Sequence, residues 1–330
     1  YNVIEYETPD DFNGHGSHVG GIAAGGGRAD IDMLGVAPSA DIVSVKVLSK
    51  DGYGSNIGVA KGVELAIDAG AHVLNLSLGG VGSAGSPEYD AVEEAWKLGF
   101  VVCVAAGNEG DLGWGTIGSP GCAPSVITVG ALDKSDNYIA GYSSRGPVPE
   151  KIVKPDLVAP GGDYVLFCDR DRQVVSAKST MAHWSCIYDS YYAGAVGTSM
   201  ATPHVAGASA IIVQVLRENG FRYSGVEFTN TVKWAILSGC RKIHGYSVWE
   251  QGAGALDLEE SVKLARDVRE PKEYVHEYEP PPIKRPTMCG MPYYDKLPRE
   301  SIPHLVELSK RYELTSLGRI SKIALNLLAV

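Results

Sequence analysis

Apolar runs too short to be membrane spans alternate with segments of helical spacing through the first 132 residues, and this alternation most limits what the chain can fold into. "DIVSVKVLS" (41–49), "AHVLNLSLGG" (71–80), "FVVCVAAGN" (100–108) and "SVITVGAL" (125–132) read as strands. Between them, "GSNIGVAKGVELAIDAG" (54–70) repeats apolar residues at helical spacing up to a glycine stop. "SPEYDAVEEAWKLG" (86–99) starts with Ser and Pro and ends at Gly, as a helix does. Each strand–helix–strand unit takes about 30 residues, as βαβ units do. The strands are apolar throughout, as expected for a parallel sheet covered on both faces. The fold class is therefore α/β. Ligands in such sheets bind at the carboxyl ends of the strands, so the loops to inspect follow Ser49, Leu78 and Ala106.

Charge and hydropathy exclude other classes. The net charge is −10 and no run is rich in Lys or Arg, which argues against a nucleic-acid partner. No apolar run reaches about 18 residues, so no membrane span is expected. Residues 1–266 read as one domain, 267–286 (with "REPKEYVHEYEPPPIKRP" at 269–286) as a Pro-rich linker, and 287–330 as an extension of unassigned role with one helical stretch near 303–314. The stretch 162–196 reads as an irregular surface insertion. The chain starts without Met and ends on "SKIALNLLAV", and both ends read as cut. Six cysteines show no metal spacing. Cys103, inside an apolar run, reads as a buried thiol, while Cys168 and Cys186 pair only if the compartment is oxidising.

Three separated stretches carry groups with catalytic chemistry. "NGHGSHVGGIAAG" (13–25) places His15 and His18 at the start of a helix. Taken alone they read as core histidines, and HxxH without a third ligand is a weak metal signal. "VAAGNEG" (104–110) leaves Asn108 on a glycine-flanked turn after a buried strand, where its amide can meet a developing oxyanion or simply shape the turn. "GAVGTSMATPHVAGASAIIV" (194–213) puts Ser199 at the mouth of an apolar helix. Ser199 is then either a helix N-cap or a nucleophile whose oxyanion would face the free N–H groups of the first turn.

In order along the chain, "GHGSHVGGIAAG", "LGVAPSADIVSVKVL", "VLNLSLGG", "VAAGNEG", "SPGCAPSVITVGA", "YSSRGP", "KPDLVAPGG", "GTSMATPHVAG" and "GAGALDL" resemble the motifs of the subtilisin-like serine proteases, the subtilases. The resemblance runs from about residue 13 to 266. It implies a three-layer, doubly wound, mostly parallel sheet and a serine endopeptidase working through an acyl-enzyme. His15 would be the general base, Ser199 the nucleophile and Asn108 the oxyanion donor, with the N–H of Ser199 as its companion. His18 would be structural, Pro203 and His204 architectural, and the Met200 thioether open to oxidants. A polypeptide substrate would add as a strand between Gly52–Tyr53–Gly54 and Ser77–Leu78–Gly79. The primary pocket would lie between that second segment and Ala105–Ala106–Gly107, with Gly118 at its floor. The resemblance also implies no cofactor for the chemistry, a propeptide as a possible partner, and an extracellular or cell-surface location.

One departure stands out. The family's third catalytic residue is an Asp in a D-[ST]-G strand ahead of the histidine, and here only 14 residues precede His15. Asp10 and Asp11 lie in a "TPDD" turn that does not match, so the strand is expected upstream of Tyr1. If it is absent altogether, the alternative is an inactive scaffold that binds peptides. An α/β-hydrolase reading fails because G-T-S-M-A lacks the final glycine of that fold's elbow, and "GGGRAD" (25–30) lacks the Lys-Ser/Thr of a phosphate loop. The loop after the histidine helix offers Asp30 and Asp32 as oxygen ligands for a structural calcium ion, or as two solvated carboxylates; the metal site is left unassigned.

Overall fold

A computed structural model describes residues 1–27, 33–135, 137–164, 167–277, 279–280 and 282. In chain order the elements are α1 (His15–Ala24), α2 (Asn56–Asp68), β1 (Val73–Leu76), α3 (Pro87–Leu98), β2 (Val101–Ala105), β3 (Ile127–Leu132) and β4 (Leu157–Pro160). They continue with β5 (Val174–Ala177), β6 (Tyr192–Ala195), α4 (Thr198–Glu218), α5 (Gly225–Gly239), α6 (Val248–Gln251) and α7 (Leu258–Asp267). Strands β1-β2-β3-β4 form one parallel sheet, with Val73 opposite Val101, Cys103 opposite Ile127 and Val129 opposite Leu157. Cys103 Sγ lies 3.5 Å from Ser209 Oγ on α4. Alternation turns Val102 and Val104 to the opposite face, and both are fully buried. Both faces of the sheet are therefore covered, and the fold is α/β and doubly wound. Burial pushes the Cys103 thiol up to about 12.

Helix α4 is the organising element. It packs across all four strands. Ala201, Val205, Ala208, Ile212 and Leu216, spaced three or four apart, are wholly buried. Its length and composition would suit a membrane span, but 67% of its apolar window is buried within the protein. Gly207 lets α1 approach: a Cβ there would press on the Ala23 carbonyl at 2.8 Å and on Val36 at 2.7 Å.

Three segments differ from the sequence expectation. Residues 41–49 form no ladder strand. Their pairing is one parallel bridge between Asn2 and Lys46, and Ile42 and Val43 are exposed. The alternation there suits a strand, but a cavity separates this segment from β1, with Val45 and Val47 on one wall and Asn75 on the other. Strand character without a bonded neighbour leaves no sheet. The stretch 162–196 is not wholly irregular: β5 and β6 pair antiparallel, and the Ser176 hydroxyl donates to the His18 carbonyl of α1 at 2.8 Å. Cys168 and Cys186 form a disulfide within it. Strand β4 arises inside "KPDLVAPGG", too short to show a period.

Beyond α7, residues 268–277 lie against the domain. Lys272 N–H donates to Thr231 Oγ1 at 3.0 Å, Tyr274 packs on the core, and Lys242 pairs with Glu277. The expected extension 287–330 and its helical stretch lie outside the described residues.

Asp156 ties this segment to the sheet. Its carboxylate meets Lys154 Nζ at 2.6 Å, Lys233 Nζ at 2.8 Å and His276 Nε2 at 3.4 Å, and it accepts the Thr128 N–H at 2.7 Å. Burial alone would raise its pKa, but Lys154 and Lys233 outweigh this and hold it well below the usual carboxylate range. Lys154 is fully buried, so removing its partner strands a cation in the core. Asp156→Ala is expected to cost about 3–5 kcal/mol in urea unfolding, whereas replacing Lys154 and Asp156 together by apolar residues of similar volume should cost far less. Equal costs for the two variants would refute the buried-cation account.

Candidate active site

The carboxyl ends of β1 and β2 open on one cavity of about 810 Å³, and His15, Asn108 and Ser199 all line it. Three segments distant in sequence thus meet where a parallel sheet places its ligands.

The mouth of α4 is fixed by hydrogen bonds that its own turn cannot supply. Gly197 caps the helix at φ 146°, a value that favours glycine. Ser199 is therefore the second helical residue and not the N-cap. Its N–H lies in the first turn, where no intrahelical acceptor exists. Pro203 has no N–H to give the Ser199 carbonyl. The Ser77 hydroxyl donates to that carbonyl instead, at 2.8 Å, and Ser199 Oγ donates to the Ser77 carbonyl at 3.3 Å. Asn75 Nδ2 donates to Ser77 Oγ at 3.1 Å. The start of α4 is thereby tied to the end of β1.

Asn108 is oriented by the residue before the serine. Thr198 N–H donates to Asn108 Oδ1 at 2.9 Å, and Thr198 Oγ1 lies 3.1 Å from the same atom. A backbone N–H can only donate, so the amide oxygen must face Thr198, and Nδ2 is left as the donor beside the cavity.

His15 opens α1. Asp11 caps that helix, accepting from Gly14 N–H, Ser17 N–H and Ser17 Oγ–H at 2.7 Å each. Burial lowers the His15 pKa and the Asp11 charge opposes the shift. Among the described residues no carboxylate hydrogen-bonds to His15. His18 is wholly buried, with Nε2 3.1 Å from the Ala193 carbonyl, and burial brings its pKa to about 4. His204, held against the Met200 carbonyl at 2.9 Å, is also brought down to about 4 by burial.

Of the expected cleft residues, Gly52, Gly54, Ser77, Leu78, Gly79, Ala105, Gly107 and Gly118 line the cavity. Ala106 does not: the alternation that turns Ala105 and Gly107 toward the cavity turns Ala106 into the core, where it is fully buried. Tyr53 is 37% exposed and lies off the cavity wall. Gly118 pairs its N–H with the Ala106 carbonyl at 3.1 Å, and a Cβ there would come within 3.1 Å of the Gly80 carbonyl. Met200 is not open to oxidants. It is 2% exposed and packs with Val19, Ile22 and Val174. Sequence reasoning missed the orienting parts of Thr198 and Ser77. Pro203, four residues after Ser199, was the available signal for a freed carbonyl.

Asp30 and Asp32 lie outside the described residues, and among the described residues no cluster of three or more His, Cys, Asp or Glu could hold a metal ion. No calcium ligands are assigned.

Comparison with known proteins follows the same pattern. The sequence model of the subtilase family matches residues 2–254. Serine protease AprX of Bacillus subtilis is 36% identical over 280 residues, covering 79% of this chain and 60% of AprX. Subtilisin Savinase of Lederbergia lenta is 38% identical, covering 71% of this chain and 75% of that protein, and thermitase of Thermoactinomyces vulgaris is 38% identical, covering 74% of each. The chain thus spans three fifths of AprX, at 60%. The solved structure of the protease domain of PatA superposes with a TM-score of 0.63 at 23% identity, over 81% of this chain and 86% of that one, which shows the shared fold. With the family model matched across most of its length, the chain belongs to the subtilase family.

Proposed function

We propose that the protein is a serine endopeptidase that cleaves peptide bonds through an acyl-enzyme. The observation that carries this reading is the meeting of Ser199, His15 and Asn108 on one cavity, with Asn108 Nδ2 left as a free donor. Ser199 Oγ attacks the scissile carbonyl carbon, and His15 takes its proton. The oxyanion is held by Asn108 Nδ2 and the Ser199 N–H. Collapse breaks the C–N bond, His15 protonates the leaving amine, and water then releases the acyl group by the same steps. The chemistry needs no cofactor.

The triad carboxylate is proposed to come from a strand upstream of Tyr1. It would seat in the cavity between residues 42–48, which form no ladder, and β1, the edge strand of the sheet. The absence of a carboxylate bonded to His15 among the described residues is also what favours the second reading, an inactive peptide-binding scaffold. An extracellular or cell-surface location is proposed from the family resemblance. The Cys168–Cys186 disulfide supports it, because such bonds persist in oxidising compartments. A propeptide is proposed as a partner on the resemblance alone.

A phosphonylating serine reagent applied to the complete protein should label Ser199, and Ser199→Ala should abolish both labelling and peptide hydrolysis. Binding of peptides without label or hydrolysis would select the scaffold reading. Asn108→Ala should lower kcat by roughly 10²–10³ with little change in KM, because its amide meets charge present only in the transition state; this magnitude is taken over from subtilisin itself. An unchanged kcat would leave Asn108 a turn residue. The primary pocket, walled by Ser77–Gly79, Ala105 and Gly107, should favour a large apolar residue before the cut bond, at about 25 cal/mol per Å² buried. Discrimination should be broad, about 1–3 kcal/mol per methylene. A ranking of kcat/KM that puts Glu above Phe and Leu at that position would refute the pocket assignment.

A further inference from the structure

The stretch 162–196 reaches back over α1, the helix that carries His15. Ser179 Oγ donates to the Asp11 carbonyl at 2.7 Å, just ahead of that helix, and Ser176 Oγ donates to the His18 carbonyl at 2.8 Å, one turn inside it. In chain order along α1, the indole of Trp184 falls between these two contacts. It lies against Gly14, the residue before His15. Gly14 is the N-cap of α1 at φ 92°, and a Cβ there would meet Trp184 Nε1 at 2.6 Å and Ala182 Cβ at 2.8 Å. The left-handed backbone and the close indole both demand glycine at this position. Trp184 also adjoins His18, with ring centroids 5.2 Å apart and planes tilted by 32°.

Packing alone places this indole. Its Nε1 is buried with no hydrogen-bond partner, although a buried tryptophan N–H usually finds one. The ring is instead held through its own chain. Cys186, two residues on, is bonded to Cys168, and β6 then runs into α4, where Ser199 stands. One segment therefore touches the helix of the histidine and continues into the helix of the serine. On its other side the first turn of α1 is fixed by Asp11, which accepts the Gly14 and Ser17 N–H groups at 2.7 Å each. His15 thus enters α1 between a carboxylate cap and an indole. Passing a proton between Ser199 Oγ and this ring needs close placement: a shift of about 1 Å can cost 10²-fold, and the backbone of the first turn sets where the ring starts.

We propose that Trp184 is a positioning residue for the proposed reaction: its indole, anchored by the Cys168–Cys186 disulfide, clamps the start of α1 at Gly14 and so fixes His15 relative to Ser199. This rests on the endopeptidase reading above. Trp184 acts through the helix and touches neither substrate nor the reacting atoms.

The test uses the complete protein. Trp184→Ala should lower kcat by about 10–100-fold and leave KM within about twofold, because the base is displaced while substrate contacts are kept. Trp184→Phe should recover most of that loss, since the ring face is used and the N–H is not. Trp234→Ala removes a half-buried indole on α5; it should lower the melting temperature and leave kcat unchanged. An unchanged kcat in Trp184→Ala, a loss carried by KM, a phenylalanine variant as impaired as the alanine one, or an equal kcat loss in Trp234→Ala would each overturn the proposal. Trp184→Leu keeps apolar bulk and carries the same expectations if the alanine variant does not melt cooperatively. A second measurement is independent of activity. The His18 N–H, bonded to the Gly14 carbonyl at 3.1 Å, should exchange with solvent faster in the alanine or leucine variant, while the amides of α5 keep their protection. Unchanged protection at His18 also overturns the clamp. If Ser199 of the wild type takes no label from the serine reagent, the endopeptidase reading fails instead, and the exchange measurement still reports on the clamp.

Discussion

The first turn of α4 enters the core with groups that its own helix cannot satisfy, and the site is built from the answers to them. Pro203 frees the Ser199 carbonyl, and the Ser77 hydroxyl takes it. The Thr198 N–H has no intrahelical acceptor, and Asn108 Oδ1 takes it. Each bond joins α4 to the carboxyl end of a different strand, β1 through Ser77 and β2 through Asn108. The same two bonds orient the groups proposed for chemistry: Ser199 is held at the cavity, and Asn108 keeps its donor free. The geometry of the proposed site is a consequence of capping.

The electrostatic arrangement separates two kinds of buried charge. Asp156 is surrounded by Lys154, Lys233 and His276, and its role is to join β3, β4, α5 and the segment after α7. Glu88 has hydroxyl partners and no cation among the described residues, and it lies on the cavity rather than behind the sheet. A satisfied cluster rigidifies a fold, whereas Glu88 keeps one carboxylate oxygen without a hydrogen-bond partner. The histidines divide in the same way. His18 and His204 are held against backbone carbonyls, while His15 lines the cavity, where burial lowers its pKa.

The cavity between β1 and residues 42–48 separates the edge strand of the sheet from a segment of strand character that forms no ladder. In the proposed reading, the strand that fills it also supplies the carboxylate that His15 does not meet among the described residues. The fold and the chemistry would then be completed by one insertion.

Composition and periodicity by themselves determined the layering, because apolar strands about 30 residues apart can be buried only in a parallel sheet with helices on both faces. Local features brought out His15, Asn108 and Ser199 as candidates, each with a structural alternative, and the resemblance to the subtilases gave them their roles. Pairing was not legible. Residues 41–49 alternate like a strand yet have no ladder neighbour, and "LVAP" is too short to show a period yet forms β4, because hydrogen-bond partners are set by distant chain. Side-chain direction was equally hidden: Ala106 is one position from two cavity residues, and the pleat alone sends it into the core. Only the tertiary structure could show that Ser77 and Thr198 orient the site, or that Glu88 reaches it from another helix. Those roles depend on which unsatisfied groups the packing brings within hydrogen-bond reach, and spacing along the chain does not encode that.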